Sequence, residues 1–411
     1  MYKNNLTYSL ITLFISFIAI VFQPSTVAAQ DKIAIEGIIT SKENNQPIEA
    51  ASIILNNKNS GSVSNADGNF IIAIAPAYIV QDSLNITCIG YKPYSVSIYD
   101  AVGRRNIIKL EAATEDLQEV LIKPLNLKQL LDTIISKNKQ VLISPLALNG
   151  YYRELVFVND KCTEYADALC QYFYDENKDG NGQLKIDASR CRLEKVDKNQ
   201  DYHNAQIYPD SKVNPNTLFN YVTQLSEMIK KFFPDKNLQD YKYRMDQSGN
   251  DLKITVYPKA NADEYYQLTF ILKEDYILRS YKLEIPAKLI ETIKTRSLLG
   301  IHVKLMKFIL SANYASVSNG NYPTYFTENK TVHAWGKLIA VSTDEIINSK
   351  SEFVVSDLDN ANKIAPFSKS DVYKKGNICG NGIAINDNLL KNHTMIIPSA
   401  KDSVSITSLT Q

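Results

Sequence analysis

The chain has 411 residues, 45 Lys and Arg against 44 Asp and Glu, and 45% hydrophobic residues. That is apolar material for two or three domains at ~150 residues each. A formal net charge of +1 supplies no basic field for nucleic acid or an anionic membrane, so neither is expected as a partner.

Residues 1–29 read as a signal peptide. Lys3 precedes an apolar run over residues 10–22, and the small residues Val27, Ala28 and Ala29 follow. The run is shorter than the ~20 residues of a spanning helix, and no later run reaches that length, so the mature chain is expected to be soluble, without a transmembrane segment. No Cys lies near residue 30, which argues against lipid attachment there. Lys3 is the one charged residue of this segment, so acidic and basic residues balance after its removal. Export to the periplasm or the outer membrane is the expected location.

Residues 33–110 carry a β pattern. Ala51, Ile53 and Leu55 alternate with Ser52, Ile54 and Asn56; Phe70, Ile72 and Ile74 form a second period-2 face, and Leu84, Ile86 and Cys88 a third. Asn44-Asn45, residues 57–61 and Asp67-Gly68-Asn69 punctuate them as turns. About seven short strands at this spacing predict a β-sandwich. Cys88 falls on a core face and reads as an inert thiol.

Three separated motifs in this stretch resemble the carboxypeptidase-regulatory-like domain. The first is Gly37, Ile39, Pro47, Ile48, Ala51 and Ile53. The second is Gly61, Ser64, Asn65, Asp67, Gly68 and Phe70, and the third Leu84, Ile86, Ile89, Gly90 and Tyr91. The resemblance implies a transthyretin-like seven-stranded sandwich that accompanies peptidases and surface receptors of Gram-negative bacteria without being catalytic. Physically, Gly61 and Gly68 read as turn residues, Phe70 as a core plug, and Gly90-Tyr91 as the end of a strand.

Residues 111–124 read as an acidic linker ending in a short strand at residues 120–122. Residues 125–411 read as an α+β domain with an antiparallel sheet, closing in an irregular tail over 350–411. Leu127, Leu130, Leu131, Ile134 and Ile135 form one stripe at helical period. Residues 152–158 and 162–174 predict a hairpin turning at Asn159-Asp160, with a further strand at 183–193. Pro215 and Pro234 bound a helix over 216–233. A meander follows at 241–245, 252–257, 265–272 and 277–284. A short helix at 287–297 and strands at 304–311, 325–331 and 337–343 complete the reading. Tyr152-Arg153-Glu154, Ser189-Arg190 and the tail 391–404 resemble the later part of exported proteins that carry the regulatory-like domain. Those proteins usually have an aromatic where Leu390 or His393 stands here.

A metallocarboxypeptidase needs paired His and Glu at short spacing. The four His (His203, His302, His333 and His393) sit in no His-x-x-Glu or His-Glu-x-x-His pattern, and no Gly-x-Ser-x-Gly elbow or phosphate loop occurs. No catalytic residue and no cofactor is expected. Asp175, Asn177 and Asp179 occupy alternate positions of a calcium-type loop, but Ile186 stands where the bidentate Glu belongs, so a solvated hairpin loop is favoured. Five Cys leave at least one unpaired in an oxidising compartment. If the strands flanking this loop pair about Gly180-Asn181, Cys170 and Cys191 lie opposite, which predicts a Cys170–Cys191 disulfide.

The leading expectation is an exported, non-enzymatic adaptor with a protein partner in the cell envelope. The runner-up is a glycan- or peptide-binding protein using the Tyr-rich strands at Tyr151, Tyr152, Tyr165, Tyr172, Tyr265 and Tyr266. A hydrolase is the third, requiring converging carboxylates or a Ser/His pair in a pocket.

Overall fold

The computed structural model describes residues 32–56, 60–113, 125–177, 182–193, 215–248, 251–260, 262–317, 320–338, 341–358, 366–374 and 378–409. The signal peptide, the strand expected at 120–122 and Asp179 lie outside them.

Seven short strands make the first part: β1 (Ile33–Ser41), β2 (Ser52–Leu55), β3 (Gly61–Val63), β4 (Asn69–Ile74), β5 (Ser83–Thr87), β6 (Tyr94–Ser97) and β7 (Arg105–Leu110). They form two sheets, β4-β1-β7 and β3-β2-β5-β6, the expected seven-stranded sandwich. β1 and β7 run parallel, and every other pair is antiparallel. The period-2 faces meet inside: Ile35, Ile39, Ile53, Leu55, Phe70, Ile72, Leu84 and Ile86 are buried together. Each such side chain contributes ~1.5–3 kcal/mol by leaving water. Gly37 is required because Phe70 packs across it; a Cβ there would lie 2.6 Å from the ring and 2.8 Å from the Asn106 carbonyl oxygen. Gly68 takes φ +76° and its missing Cβ would strike the Ile39 carbonyl. Gly61 is not a turn residue but opens β3.

The second part is an α+β unit on one large sheet. Its first elements are α1 (Leu127–Val141), β8 (Leu146–Val158), β9 (Lys161–Tyr174), β10 (Gln183–Leu193), α2 (Pro215–Thr223) and α3 (Leu225–Phe232). The meander β11 (Tyr241–Ser248), β12 (Asp251–Pro258), β13 (Gln267–Lys273) and β14 (Leu278–Glu284) follows. Then come β15 (Arg296–Leu298), β16 (Ile301–Val317), β17 (Gly320–Leu338), β18 (Val341–Leu358), β19 (Ile383–Ala384) and α4 (Ala400–Thr407). The strand order is β11-β12-β13-β14-β16-β17-β18-β8-β9-β10-β19, with β15 paired to β16. Asn159 and Asp160 take φ 49° and 64°, the conformation of a two-residue hairpin turn, and join β8 to β9 as predicted.

Three expectations are corrected. The helix over 216–233 is two helices, because Gln224 leaves helical geometry at φ −118°, ψ 73°. The strand over 337–343 straddles the end of β17 and the start of β18. The tail is not irregular from 350: β18 runs to Leu358, and residues 378–409 pack as described below.

The two faces of the sheet are used differently. On one lie α1, α2 and α3. Phe219 of α2 stacks on Tyr172 at 4.4 Å and meets Phe326 and Phe353 edge-on at 4.9 and 4.7 Å. α1 begins with a capping box between Asn126 and Gln129 and buries Leu130, Leu131 and Ile134. Its Asn138 donates to the Tyr276 carbonyl and accepts from the Leu278 amide, which fixes the helix to the β13–β14 turn. The opposite face of β8, β9, β10, β17 and β18 receives the sandwich, through Val63 of β3, together with Ile385, Leu390 and Ile396. α4 covers the neighbouring Leu155, Cys162 and Tyr165.

Candidate functional site

The densest polar constellation lies in the seam between sandwich and sheet. Strand register places Arg190 opposite Asp167, Asp167 opposite Arg153, and Arg153 opposite Glu352, one row across β10, β9, β8 and β18 with charge alternating along it. Arg190 grips Asp167 with two bonds of 3.1 and 2.7 Å. Arg153, 1% exposed, holds one oxygen of Glu352 from Nε at 2.7 Å and Nη2 at 2.6 Å. Tyr325 donates to the other oxygen at 2.7 Å, and Lys350 approaches it at 3.2 Å. Tyr151 and Tyr165 both donate to Asp167, at 2.9 and 3.1 Å. Burial pushes the Glu352 carboxyl up, but Arg153, Lys350 and the Tyr325 hydroxyl together outweigh it and hold the group at about 2. Burial drives the Tyr151 and Tyr165 hydroxyls upward. Each carboxylate of the row is thus held by a guanidinium and by tyrosine hydroxyls, and the row ties four strands of the sheet together.

The row reaches both neighbours. Lys350 bridges to Glu49 of the sandwich at 3.0 Å, and Arg153 Nη1 donates to the Ile396 carbonyl at 3.3 Å. The motif turn of the sandwich completes the seam. Asn65 accepts from the Asp67 and Asn69 amides, which shapes the turn, and donates to the Ile397 and Pro398 carbonyls. Asp67 accepts from the Ala400 amide at 2.6 Å, at the start of α4, and Thr394 accepts from the Ala73 amide at 3.1 Å. Sequence reasoning saw Asp67 and Gly68 only as a turn. The partners are mostly main-chain carbonyls and amides, which carry no residue signature.

The remaining motif residues are structural. Pro47 makes an isolated bridge with Thr40, Phe70 fills the core, Gly90 takes φ +84°, and Tyr91 bridges to Ala112. In the calcium-type loop, Asp175 accepts from the Asn177 amide at 3.0 Å, a local turn. No group of three or more His, Cys, Asp or Glu able to hold a metal occurs among the described residues. The expected Cys170–Cys191 bond is replaced by Cys191–Cys379, Cα atoms 5.6 Å apart. The hairpin pairs Cys170 with Ile186 and Cys191 with Ala166, so the register sits several residues from the one assumed, with a bulge between Ile186 and Ala188. Cys170 is free and buried. Of the Tyr-rich strands, Tyr151, Tyr152, Tyr165 and Tyr172 are core rings rather than a surface, while Tyr265 and Tyr266 are half-buried, ring centroids 4.6 Å apart, with Tyr266 packed on Phe232 and Phe308.

Two further features remain. A cleft of about 600 Å³ lies beside β10, between Lys185, Asp187, Tyr373, Lys374 and Asn381. Far from it, Ser297 and His302 Nδ1 are 2.7 Å apart on the open sheet, while Asp344 bonds His333 instead, at 2.7 Å. Among the described residues, the Ser/His pair that a hydrolase requires is therefore present without a carboxylate bonded to the His302 imidazole, and it stands outside the cleft.

The architecture is that of a β-sandwich joined to an antiparallel α+β unit. The family model of the CarboxypepD_reg-like domain matches residues 35–122, the stretch that holds the three motifs, so the resemblance is confirmed for that part. No curated protein matches the chain. Among solved structures, 56% of the chain is similar to a structure of lipid–protein interactions in lipovitellin, with 6% identity, TM-score 0.25 and 27% of that chain covered. A DUF1329 family protein from Desulfovibrio piger is similar over 56% of this chain and 92% of its own, with 7% identity and TM-score 0.21. A LolA superfamily protein from Nitrosomonas europaea is similar over 58% and 98%, with 9% identity and TM-score 0.17. Likenesses this low carry no functional argument.

Proposed function

We propose that the chain is an exported, non-enzymatic interaction protein of the bacterial cell envelope, with the regulatory-like sandwich as the part that meets a protein partner. The observation that carries this reading is the division of the sandwich into a used and an unused edge. Strands β3 and β4, at one end of their sheets, adjoin the large sheet and the segment 394–400. Strands β6 and β7 end the same two sheets on the far side. On or beside that far side stand Tyr94, Tyr99 at 73% exposure and Ile107 at 70%. Among the described residues no strand pairs beyond β6 or β7, and exposed apolar side chains at open sheet edges are features of partner surfaces. Export rests on the order of charged, apolar and small residues in 1–29.

The test is site-specific photocrosslinking in envelope fractions, with the probe at Tyr99 and, as a control, at Lys259, just past the end of β12. One discrete protein captured from Tyr99, absent from the control and lost in Tyr94→Asp/Ile107→Asp, is the expected result. Equal, scattered capture from both positions refutes the reading.

A further inference from the structure

At the end of β16, β17 and β18 remote from the sandwich, the face that carries Arg153 and Glu352 continues as an open surface. Register brings Ser297, His302, Trp335 and Asp344 into one row across β15, β16, β17 and β18. The adjacent row holds Lys304, His333 and Ile346. Trp335 is the one Trp of the chain. Its ring lies at 29° to His302, centroids 5.5 Å apart, and at 31° to His333, centroids 4.6 Å apart. The indole is thus flanked by two imidazoles, each tilted about 30° from it, with Ile346 exposed beside them.

The polar atoms of the strip are half used. His302 spends Nδ1 on Ser297, and His333 spends Nε2 on Asp344. Among the described residues, His302 Nε2, His333 Nδ1, Trp335 Nε1 and the second oxygen of Asp344 have no hydrogen-bond partner. Asp344 is 81% exposed. His302, His333 and Asp344 are therefore each oriented by one bond and keep another polar atom unpaired among the described residues, on strands paired along their length. Pre-oriented groups on a rigid element bind with little ordering cost.

We propose that this strip binds a saccharide. A sugar ring has an apolar C–H face, which suits aromatic and aliphatic side chains, and hydroxyls around its rim, which suit donors and acceptors at the ring edges. A purely apolar ligand would need enclosure, which an open sheet does not give. A nucleic acid would need a basic field, and Lys304 is the only cation in the two rows. This surface is distinct from the buried Tyr faces and independent of the partner surface on the sandwich.

Trp335 makes the test direct, because all indole emission of the protein comes from it. The full mature chain is titrated with soluble gluco-, manno- and N-acetylglucosamine oligosaccharides, with sorbitol as a polyol control. At least one sugar is expected to change the emission saturably, with half-saturation at about 0.1–5 mM, as weak open-site binding gives. Calorimetry with the same sugar is expected to lose its heat in Trp335→Ala and to weaken about tenfold in Asp344→Asn, from loss of a charge-assisted bond. Circular dichroism checks that both variants fold. A response no different from sorbitol for every sugar up to ~20 mM overturns the proposal. So does undiminished binding in a folded Trp335→Ala protein.

Discussion

Replacing Arg153 with Leu removes the cation at the centre of the seam. Arg153 and Glu352 are both almost wholly out of water, with side-chain exposures of 1% and 4%. Breaking a buried pair by deleting one partner costs ~3–5 kcal/mol. Glu352 keeps Tyr325 at 2.7 Å and Lys350 at 3.2 Å, though Lys350 is shared with Glu49, so the low end applies, ~3 kcal/mol. Linkage leads to a figure of the same size: a carboxyl held at about 2 instead of the ordinary 4.5 corresponds to ~3 kcal/mol of preference for the charged form. The sign follows from the depressed value. This stability is fully present above about 4.5 and is lost as the pH falls towards about 2. Urea denaturation followed by circular dichroism is expected to show Arg153→Leu ~3 kcal/mol less stable at pH 7, with the deficit shrinking by pH 3. Arg153→Leu/Glu352→Leu is expected to recover most of it, because neither charge is then stranded. A deficit below ~1 kcal/mol at pH 7, or one equally large at pH 3, refutes the reasoning.

Peptide mapping without reductant is expected to yield a Cys191–Cys379 peptide, and Cys379→Ser to cost ~2–4 kcal/mol in thermal or urea unfolding; a Cys170–Cys191 peptide would count against the fold. Burial pushes the Cys88 thiol up to about 11 and the Cys170 thiol further, so both are expected to resist iodoacetamide at pH 8 until the chain unfolds, as read by mass spectrometry. Asn65→Ala removes two turn-shaping acceptor bonds and both donor bonds to Ile397 and Pro398, and is expected to lower stability by ~2–3 kcal/mol and to make residues 391–409 cleavable by protease. Unchanged protection of that segment would show that Asn65 does not hold it.

Much of the sandwich was legible because its core is written as alternation. Phe70, Ile72, Leu84 and Ile86 each face inward for the reason their spacing suggests. The stripe from Leu127 to Ile135 likewise named the helix that packs on the sheet. Register was less legible. The β9–β10 loop gives no fixed centre, and the bulge near Ile186 shifts the pairing, so the disulfide was assigned to the wrong partner. The seam was least legible. Arg153, Asp167, Arg190 and Glu352 come from four strands, and their meeting depends on sheet order rather than on any local pattern. The single Trp carries no local signal in the sequence, since only the β16–β17 register shows it flanked by two His.

The bonds that attach the sandwich link positions more than 300 residues apart: Lys32 to Asn392, Asn65 to Ile397, Ala73 to Thr394. The seven strands themselves close within residues 33–110. Their folding is therefore local, whereas full attachment waits until residues 392–400 have been synthesised. Until then the cluster of Val63, Tyr151, Leu169 and Val354 lacks the cover of Ile396. Contacts of such high sequence separation form slowly, and uncovered apolar strands invite aggregation. Assembly is thus ordered along the chain, with the sandwich complete in sequence long before its last anchor is.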